Sequence, residues 1–460
     1  MDTEFADQVR RDALALAELV PGGGSGLVTV VAERDDDPVA RSAFDVDRML
    51  ASTATFAVGA LGAMSGSLTT QTSIDVGHLL AWCTSTVLVD DEPTPVWADL
   101  SGVYETCDGR HLQLHCNFPH HADGVVRHLG VSPDRAALAA AISERDGAEL
   151  EHELIDIGMI AALVRTLDEW DAHPHAIATR DLPIVTIERI DEAPPRQVAR
   201  AGDVHVLDCT RVLAGPVAGH LLASAGCDVI RLGAEHLPSV DVGVLSTGFG
   251  KRNAFADLRD EAGRSAAREL LAGTDVWIDG YRPGALAGHG LTVEEAAVRR
   301  PGVVVVQINA FDAQPDTDGP WAGRRGYDSI VQSTTGIRWA GGEYAVDDVG
   351  DRLDQSGPRG LPVQALDHAT GFLAAGVAAR LVEHQRRAGG SWLARLSLLR
   401  TRNRLVGFGG PRPYRPGAVD VPDEVLASVD APAGRITAVA PFAGRWTGPP
   451  MPLGSSPATW

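Results

Sequence analysis

The sequence predicts an α/β protein, with a helix-covered parallel sheet in its second half and a smaller α+β unit before it. Three observations lead there. From residue 203 onward, short and almost wholly apolar runs alternate with helical stretches, the pattern of strands buried on both faces. Before residue 190 the strand-like runs alternate polar with apolar residues instead. Between the two lies Asp191-Glu-Ala-Pro-Pro-Arg-Gln-Val-Ala-Arg-Ala-Gly202, a polar Pro-Pro segment with the composition of a linker.

Taken in order, residues 1–99 read as a helical segment, with an Ala-rich helix after residue 45. Residues 100–190 form the small unit. There Gly109-Arg-His-Leu-Gln-Leu-His-Cys-Asn117 alternates as a half-exposed strand, helices fall at 134–142, 148–157 and 163–173, and a strand at 182–188. After the 191–202 linker, strands are expected at 204–209, 227–232, 275–278 and 303–308. Helices at 219–225, 261–271 and 292–299 separate them, so 203–403 reads as a Rossmann-like unit. Residues 404–460 are rich in Gly and Pro and read as a wrapping tail with one strand at 435–439. A faint architectural repeat relates 45–83 to 367–403: an Ala-rich helix, a turn, then an apolar strand.

The chain has 460 residues, enough for two or three domains, and its 44% hydrophobic content allows a sizeable core. Its net charge is −21, which repels phosphate backbones and anionic membranes, so neither nucleic acid nor membrane is expected as a partner. Of 40 basic residues a single one, Lys251, is lysine. Five scattered cysteines without a CxxC motif, an acidic N-terminus and no long apolar run point to a cytoplasmic protein.

Two nucleotide fingerprints fail on inspection. Gly248-Phe-Gly-Lys251 lacks the P-loop spacing and is followed by Arg252 instead of Ser or Thr, and the run at 22–26 is not GxGxxG. Cys107, His111, His115, Cys116, His120 and His121 match no zinc spacing, so no metal is expected.

A more specific series remains. Thr210-Arg-Val-Leu-Ala-Gly-Pro-Val-Ala-Gly219 follows the first strand, a Gly-bearing turn that suits a phosphate. Then come Gly250-Lys-Arg-Asn-Ala-Phe-Ala-Asp-Leu-Arg259, Gly280-Tyr-Arg-Pro-Gly-Ala-Leu286, Gly326-Tyr-Asp-Ser-Ile-Val-Gln332 and Ala365-Leu-Asp-His-Ala-Thr-Gly371. In this order and spacing the series resembles the family III CoA-transferases, the superfamily of formyl-CoA transferase, carnitine CoA-transferase and α-methylacyl-CoA racemase. The resemblance covers 203–403. Residues 100–190, with Tyr104-Glu-Thr-Cys-Asp-Gly-Arg-His-Leu-Gln-Leu114, resemble the family's smaller domain, which normally follows the large one. The small domain here comes first, as in a fused actinobacterial-type subgroup.

The resemblance implies a CoA-transferase that moves CoA between an acyl-CoA and a small carboxylic acid, with coenzyme A arriving as acyl-CoA and no metal. Asp367 would be the nucleophile, at the head of the family's DxxxG element that ends at Gly371. An ordinary aspartate is ionised at neutral pH and needs no helper base. Its attack would give a mixed anhydride and then an aspartyl-CoA thioester, with Gly371 letting backbone amides approach the oxyanion. CoA would meet Arg211 and Ala214 in the first turn, Lys251 and Arg252 in a basic loop, then Tyr281, Arg325 and Tyr327. Asp328 and His368 would lie near the substrate. Relatives form interlocked dimers, so a homodimer or an internally duplicated ring is expected.

Departures keep alternatives open. Leu213, Gly280 and Gly288 replace residues that contact CoA in relatives, which leaves room for a non-catalytic CoA-binding homologue. Racemases carry a catalytic His where Tyr327 stands; a Tyr with a pKa near 10 disfavours racemisation. Asp45, the repeat counterpart of Asp367, lacks the following Gly, so one active site per chain is expected.

Overall fold

The computed structural model describes residues 2–22, 30–34, 37–65, 72–196, 200–312, 319–347, 349, 351–353 and 357–460. Residues 23–26 of the glycine run and 197–199 of the linker lie outside these.

The centre is a seven-stranded sheet made of β1 (Thr186–Asp191), β2 (His205–Cys209), β3 (Asp228–Gly233), β4 (Lys251–Phe255), β5 (Val276–Asp279), β6 (Val304–Asn309) and β7 (Ser391–Ser397). Its spatial order is β4-β3-β2-β5-β6-β7-β1, and all neighbours are parallel except β7 and β1. Apolar runs became inner strands because both faces are covered; Val304, Val305 and Val306 are wholly buried. The chain runs outward from β2 through β3 to β4, then crosses to β5 on the other side of β2. The carboxyl ends of β2 and β5 therefore flank a topological switch point.

The antiparallel edge β1 corrects one expectation. This strand was read as part of the small unit, yet it hydrogen-bonds along β7 and closes the edge of the large sheet.

The helices that matter are α1 (Thr3–Glu18), α2 (Val46–Ser65), α3 (Ala214–Ser224), α4 (Asp328–Thr334), α5 (Ala365–Ala388) and α6 (Leu398–Gly407). Helix α5 is buried on nearly every side, because Ala and Gly leave no polar face to turn outward. It packs against α2 and α3. Gly371 makes the α3 crossing possible: a Cβ there would stand 2.6 Å from the Ala214 carbonyl oxygen and 2.7 Å from Val217 Cγ1. Helix α3 begins at Ala214, five residues before the predicted start. Pro216 falls in its first turn, where the missing N–H costs no hydrogen bond.

The repeat is present in the topology. Helix α2, strand Thr72–Asp75 and helix Val76–Cys83 match α5, β7 and α6 in order. Strand Thr72–Asp75 pairs in parallel with Val30–Glu33, as β7 does with β6.

The small unit is a three-stranded antiparallel sheet, Gly102–Glu105, His111–Leu114 and Ala161–Leu163, with helices outside. A single helix over 163–173 is not formed. Ala161–Leu163 is a strand, and Thr166 with Glu169 makes a capping box that starts a separate short helix, Leu167–Asp171. The strand expected to be half-exposed is mostly buried, because α4 of the large unit packs on this sheet. The tail carries two strands rather than one. Leu426–Ala431 and Gly434–Val439 form a hairpin that extends onto Val87–Val89, tying tail to N-terminal segment. Among the described residues no helix is long and apolar enough to cross a membrane.

Candidate active site

At the switch point a half-open cleft of about 1360 Å³ runs along the carboxyl ends of β2, β5 and β6. The turn after β2 contributes Arg211 and Ala214, the turn after β5 contributes Tyr281 and Arg282, and β6 ends at Asn309. The segment entering α4 adds Arg324, Arg325 and Tyr327. The small unit adds Phe118, His120 and His121, and the first turn of α5 presents Asp367.

Charge is distributed unevenly over this wall. Arg211, Arg282, Arg324 and Arg325 line it, whereas Asp367 is the only carboxylate among the lining residues. Arg324 shares the Glu151 carboxylate with Arg165, at 3.2 and 2.5 Å respectively. Arg211 donates only to the Pro238 carbonyl and lies 4.7 Å over the Phe118 ring. Arg325 donates to the Gly158 carbonyl at 3.1 Å, and the Arg282 side chain makes no hydrogen bond or ion pair among the described residues. Burial pulls both Arg211 and Arg325 below the usual guanidinium range. Three cations without a counter-ion among the described residues therefore face one cleft in a protein of net charge −21.

Asp367 is 6% exposed, and its carboxylate accepts no hydrogen bond among the described residues. Burial, and then the adjacent Asp328 carboxyl, push it well above the ordinary carboxylate range. Its ionisation is therefore not automatic, contrary to the expectation drawn from a free aspartate.

Asp328 stands behind the site instead of in it. Its Oδ2 accepts the backbone N–H groups of Leu366 at 2.8 Å and Asp367 at 3.0 Å, and Gln332 donates to its Oδ1. It thus caps α5 from a neighbouring helix, since the N-cap Gln364 supplies no side-chain bond. Burial raises Asp328 to about 6, despite those hydrogen bonds.

Several predicted site residues lie outside the cleft. Lys251 opens β4, and its ammonium is buried 2.9 Å from Asp208 and 2.7 Å from the Pro216 carbonyl. It touches only a side cavity of about 370 Å³, with its charge already paired. Arg252 points to the opposite side, bidentate to Asp228 at 3.0 and 2.6 Å. The expected basic loop is thus two separate ion pairs, because strand alternation sends neighbours to opposite faces. His368 is buried edge-on to Trp82, with 5.5 Å between ring centroids, and burial drops it to about 3. Gly371 faces α3, so its role here is helix packing.

Sequence reasoning missed Arg282, although its motif was noticed, and the aromatic wall from the small unit. His115 stacks on Tyr327 at 4.1 Å, and His121 lines the cleft with both ring nitrogens unpaired. Burial lowers them to about 4 and about 3 respectively. His115 lies on the segment 109–117 that was read as half-exposed, and His121 on the helix Pro119–Leu129 just after it, so nothing in the local pattern sent them inward. Tyr281 is held up at about 12 by burial.

A cationic cleft at a parallel-sheet switch point defines an α/β protein built for an anionic, partly apolar ligand. Residues 202–410 match the model of CoA-transferase family III, and the chain carries a family III region over that span. A succinate–glutarate CoA-transferase from Agrobacterium fabrum is 33% identical over 170 residues, covering 33% of this chain and 41% of its own. An acyl-CoA transferase from Gibberella moniliformis is 26% identical over 379 residues, covering 71% of this chain and 64% of its own. The chain thus spans less than two thirds of either relative. A solved CAIB/BAIF family protein from Brucella suis aligns at 22% identity with a TM-score of 0.39, over 53% of this chain and 65% of its own.

Proposed function

We propose that this protein is a CoA-transferase acting between an acyl-CoA and a free carboxylic acid through Asp367. The observation that carries the reading is the arrangement of charge: one carboxylate without hydrogen-bond donors, at the end of a cleft with three uncompensated arginines. Arg211, Arg282 and Arg325 would hold the phosphates of CoA, while Ala214 and Tyr281 pack against its apolar stem. That brings the thioester toward Tyr327 and Asp367.

An Asp367 oxygen attacks the thioester carbon, the C–S bond breaks, and CoA leaves as thiolate from a mixed anhydride. The thiolate then attacks the aspartyl carbonyl, releasing the donor acid as carboxylate and leaving an aspartyl-CoA thioester. The incoming acid attacks that thioester and expels the thiolate, forming a second anhydride. Thiolate attack on the acceptor carbonyl completes the new acyl-CoA and returns Asp367. No net proton moves, so no general base is needed.

A carboxylate with no hydrogen-bond donor and little exposure is a stronger nucleophile than a fully solvated one, and the cost is its raised pKa. Reaction requires the ionised form, so the rate should rise with pH through a limb above the ordinary carboxylate range. Racemisation is not supported: burial lowers the basicity of both imidazoles that line the cleft, His120 and His121, the latter to about 3, which leaves them weak bases for an α-proton.

The test is isotope exchange between acyl-CoA and free acids. Succinyl-CoA with glutarate is a reasonable first pair, given the relative named for those acids. Wild-type protein should move label into the acyl-CoA pool and Asp367→Asn should not. CoA binding without exchange in a panel of donors would overturn the reading in favour of a binding protein.

A further inference from the structure

A second cavity, of about 1460 Å³, shares no lining residue with the Asp367 cleft. Its wall includes Trp97 and Ser101 ahead of the small sheet, Gln332 on α4, Arg338 just beyond α4, and Val363 and Gln364 leading into α5.

Arg338 is the anomaly in this wall. Its guanidinium has no hydrogen-bond or ion-pair partner among the described residues, and its Nε is fully buried and unpaired. Burial pulls it down to about 10, with only the nearby charge of Asp328 opposing. Arg338 as a whole is only half-buried, but its buried Nε lacks a partner, and such groups are ordinarily completed by an anion or by water. The loop opposite makes room for it: a Cβ at Gly360 would stand 2.9 Å from an Arg338 terminal nitrogen.

The backbone adds an independent sign. Val363 holds φ +55°, a left-handed conformation that a β-branched residue rarely adopts. The only other valine with positive φ among the described residues is Val212, at +72°, in the wall of the Asp367 cleft. Each lies just before a buried helix, at the edge of a cavity. Strain of this kind persists where the surroundings fix it, and it clusters at ligand sites.

The lining also narrows the ligand. Arg338 is the only cation among the described lining residues and no carboxylate lines the cavity; the nearby Asp328 carboxyl is engaged in capping α5. One planar guanidinium matches one carboxylate through two parallel hydrogen bonds, whereas a polyphosphate would need several cations. Trp97, Leu361 and Val363 offer apolar surface for a short carbon chain. We infer that this cavity is a second binding site, for a small organic carboxylate held by Arg338, separate from the Asp367 cleft.

The test is calorimetric titration of the full chain with butyrate, in the presence of saturating CoA. One site per chain is expected. Arg338→Met, which keeps the stem and removes the fork, should weaken butyrate by about tenfold or more and leave CoA affinity unchanged. Should that variant fail to fold, Val419→Trp fills the cavity from the tail and should abolish butyrate binding with Arg338 intact. Asp367→Asn should bind butyrate as wild type does, so the result stands whether or not the chain transfers CoA. No binding by wild type, equal binding by both cavity variants, displacement by CoA, or tighter binding of inorganic phosphate would each overturn the inference.

Discussion

The two helix–strand–helix modules of this chain place an aspartate at the head of a buried helix, and they treat it in opposite ways. In the N-terminal module Asp47, near the start of α2, is surrounded by donors. Its oxygens accept the N–H groups of Val39 and Ala40, both at 2.8 Å, and Arg34 at 3.1 Å. The preceding Asp45 accepts the Arg48 N–H at 3.3 Å. In the C-terminal module Asp367 lies likewise in the first turn of its helix, with no donor on its carboxylate among the described residues, and Asp328 does the capping. Both Asp47 and Asp367 are raised by burial, but hydrogen bonds hold Asp47 back and Asp328 pushes Asp367 further. The same architecture thus gives a structural carboxylate where donors converge, and one left free of donors, which the proposed function makes the reactive one, where capping is delegated to a neighbour.

The comparison breaks most sharply at Asp367 itself. Asp367→Asn should lower CoA transfer by about a thousandfold or more in exchange assays, while the folded state and CoA affinity persist. Asp47→Ala should do the reverse. It leaves Arg34 with Asp2 alone and strips the acceptor from the N–H groups of Val39 and buried Ala40, costing roughly 1–3 kcal/mol in denaturant unfolding, with turnover per folded molecule retained. A smaller effect is expected at the cleft cations: Arg282→Ala should weaken CoA by about tenfold. Lys251→Met, by contrast, should reduce stability and spare CoA affinity, because its ammonium serves Asp208. The finest distinction is in pH. Removing the Asp328 charge with Asp328→Asn takes away a contribution that raises Asp367, so the acid limb of the rate profile should move to lower pH.

Much of the fold was legible because burial on both faces leaves a plain mark. Strands such as β6 are continuous apolar runs, and α5 is too rich in Ala and Gly to be anything but interior. The strand Leu426–Ala431 was missed because it is partly exposed and gains its partner only by the hairpin that brings Gly434–Val439 alongside. Asp367, Arg211 and Arg325 were found through motif order. What a linear motif cannot carry is which side of a strand a residue faces or what lies opposite. Lys251 stood out as the one lysine, yet Asp208 claims its charge. Phe118 and His121 looked like part of a half-exposed segment, and packing between the two units brings them to the cleft. The capping role of Asp328 likewise depends on α4 meeting the first turn of α5.

The central claim is that the unsatisfied carboxylate of Asp367 becomes covalently bonded to the acyl donor. The most direct measurement is to incubate the protein with acyl-CoA, add hydroxylamine, and map the modified peptide by mass spectrometry. A hydroxamate on Asp367, absent without acyl-CoA and absent from Asp367→Asn, is the predicted result. Transfer activity with an unmodified Asp367 peptide, or with the adduct on another carboxylate, would contradict it.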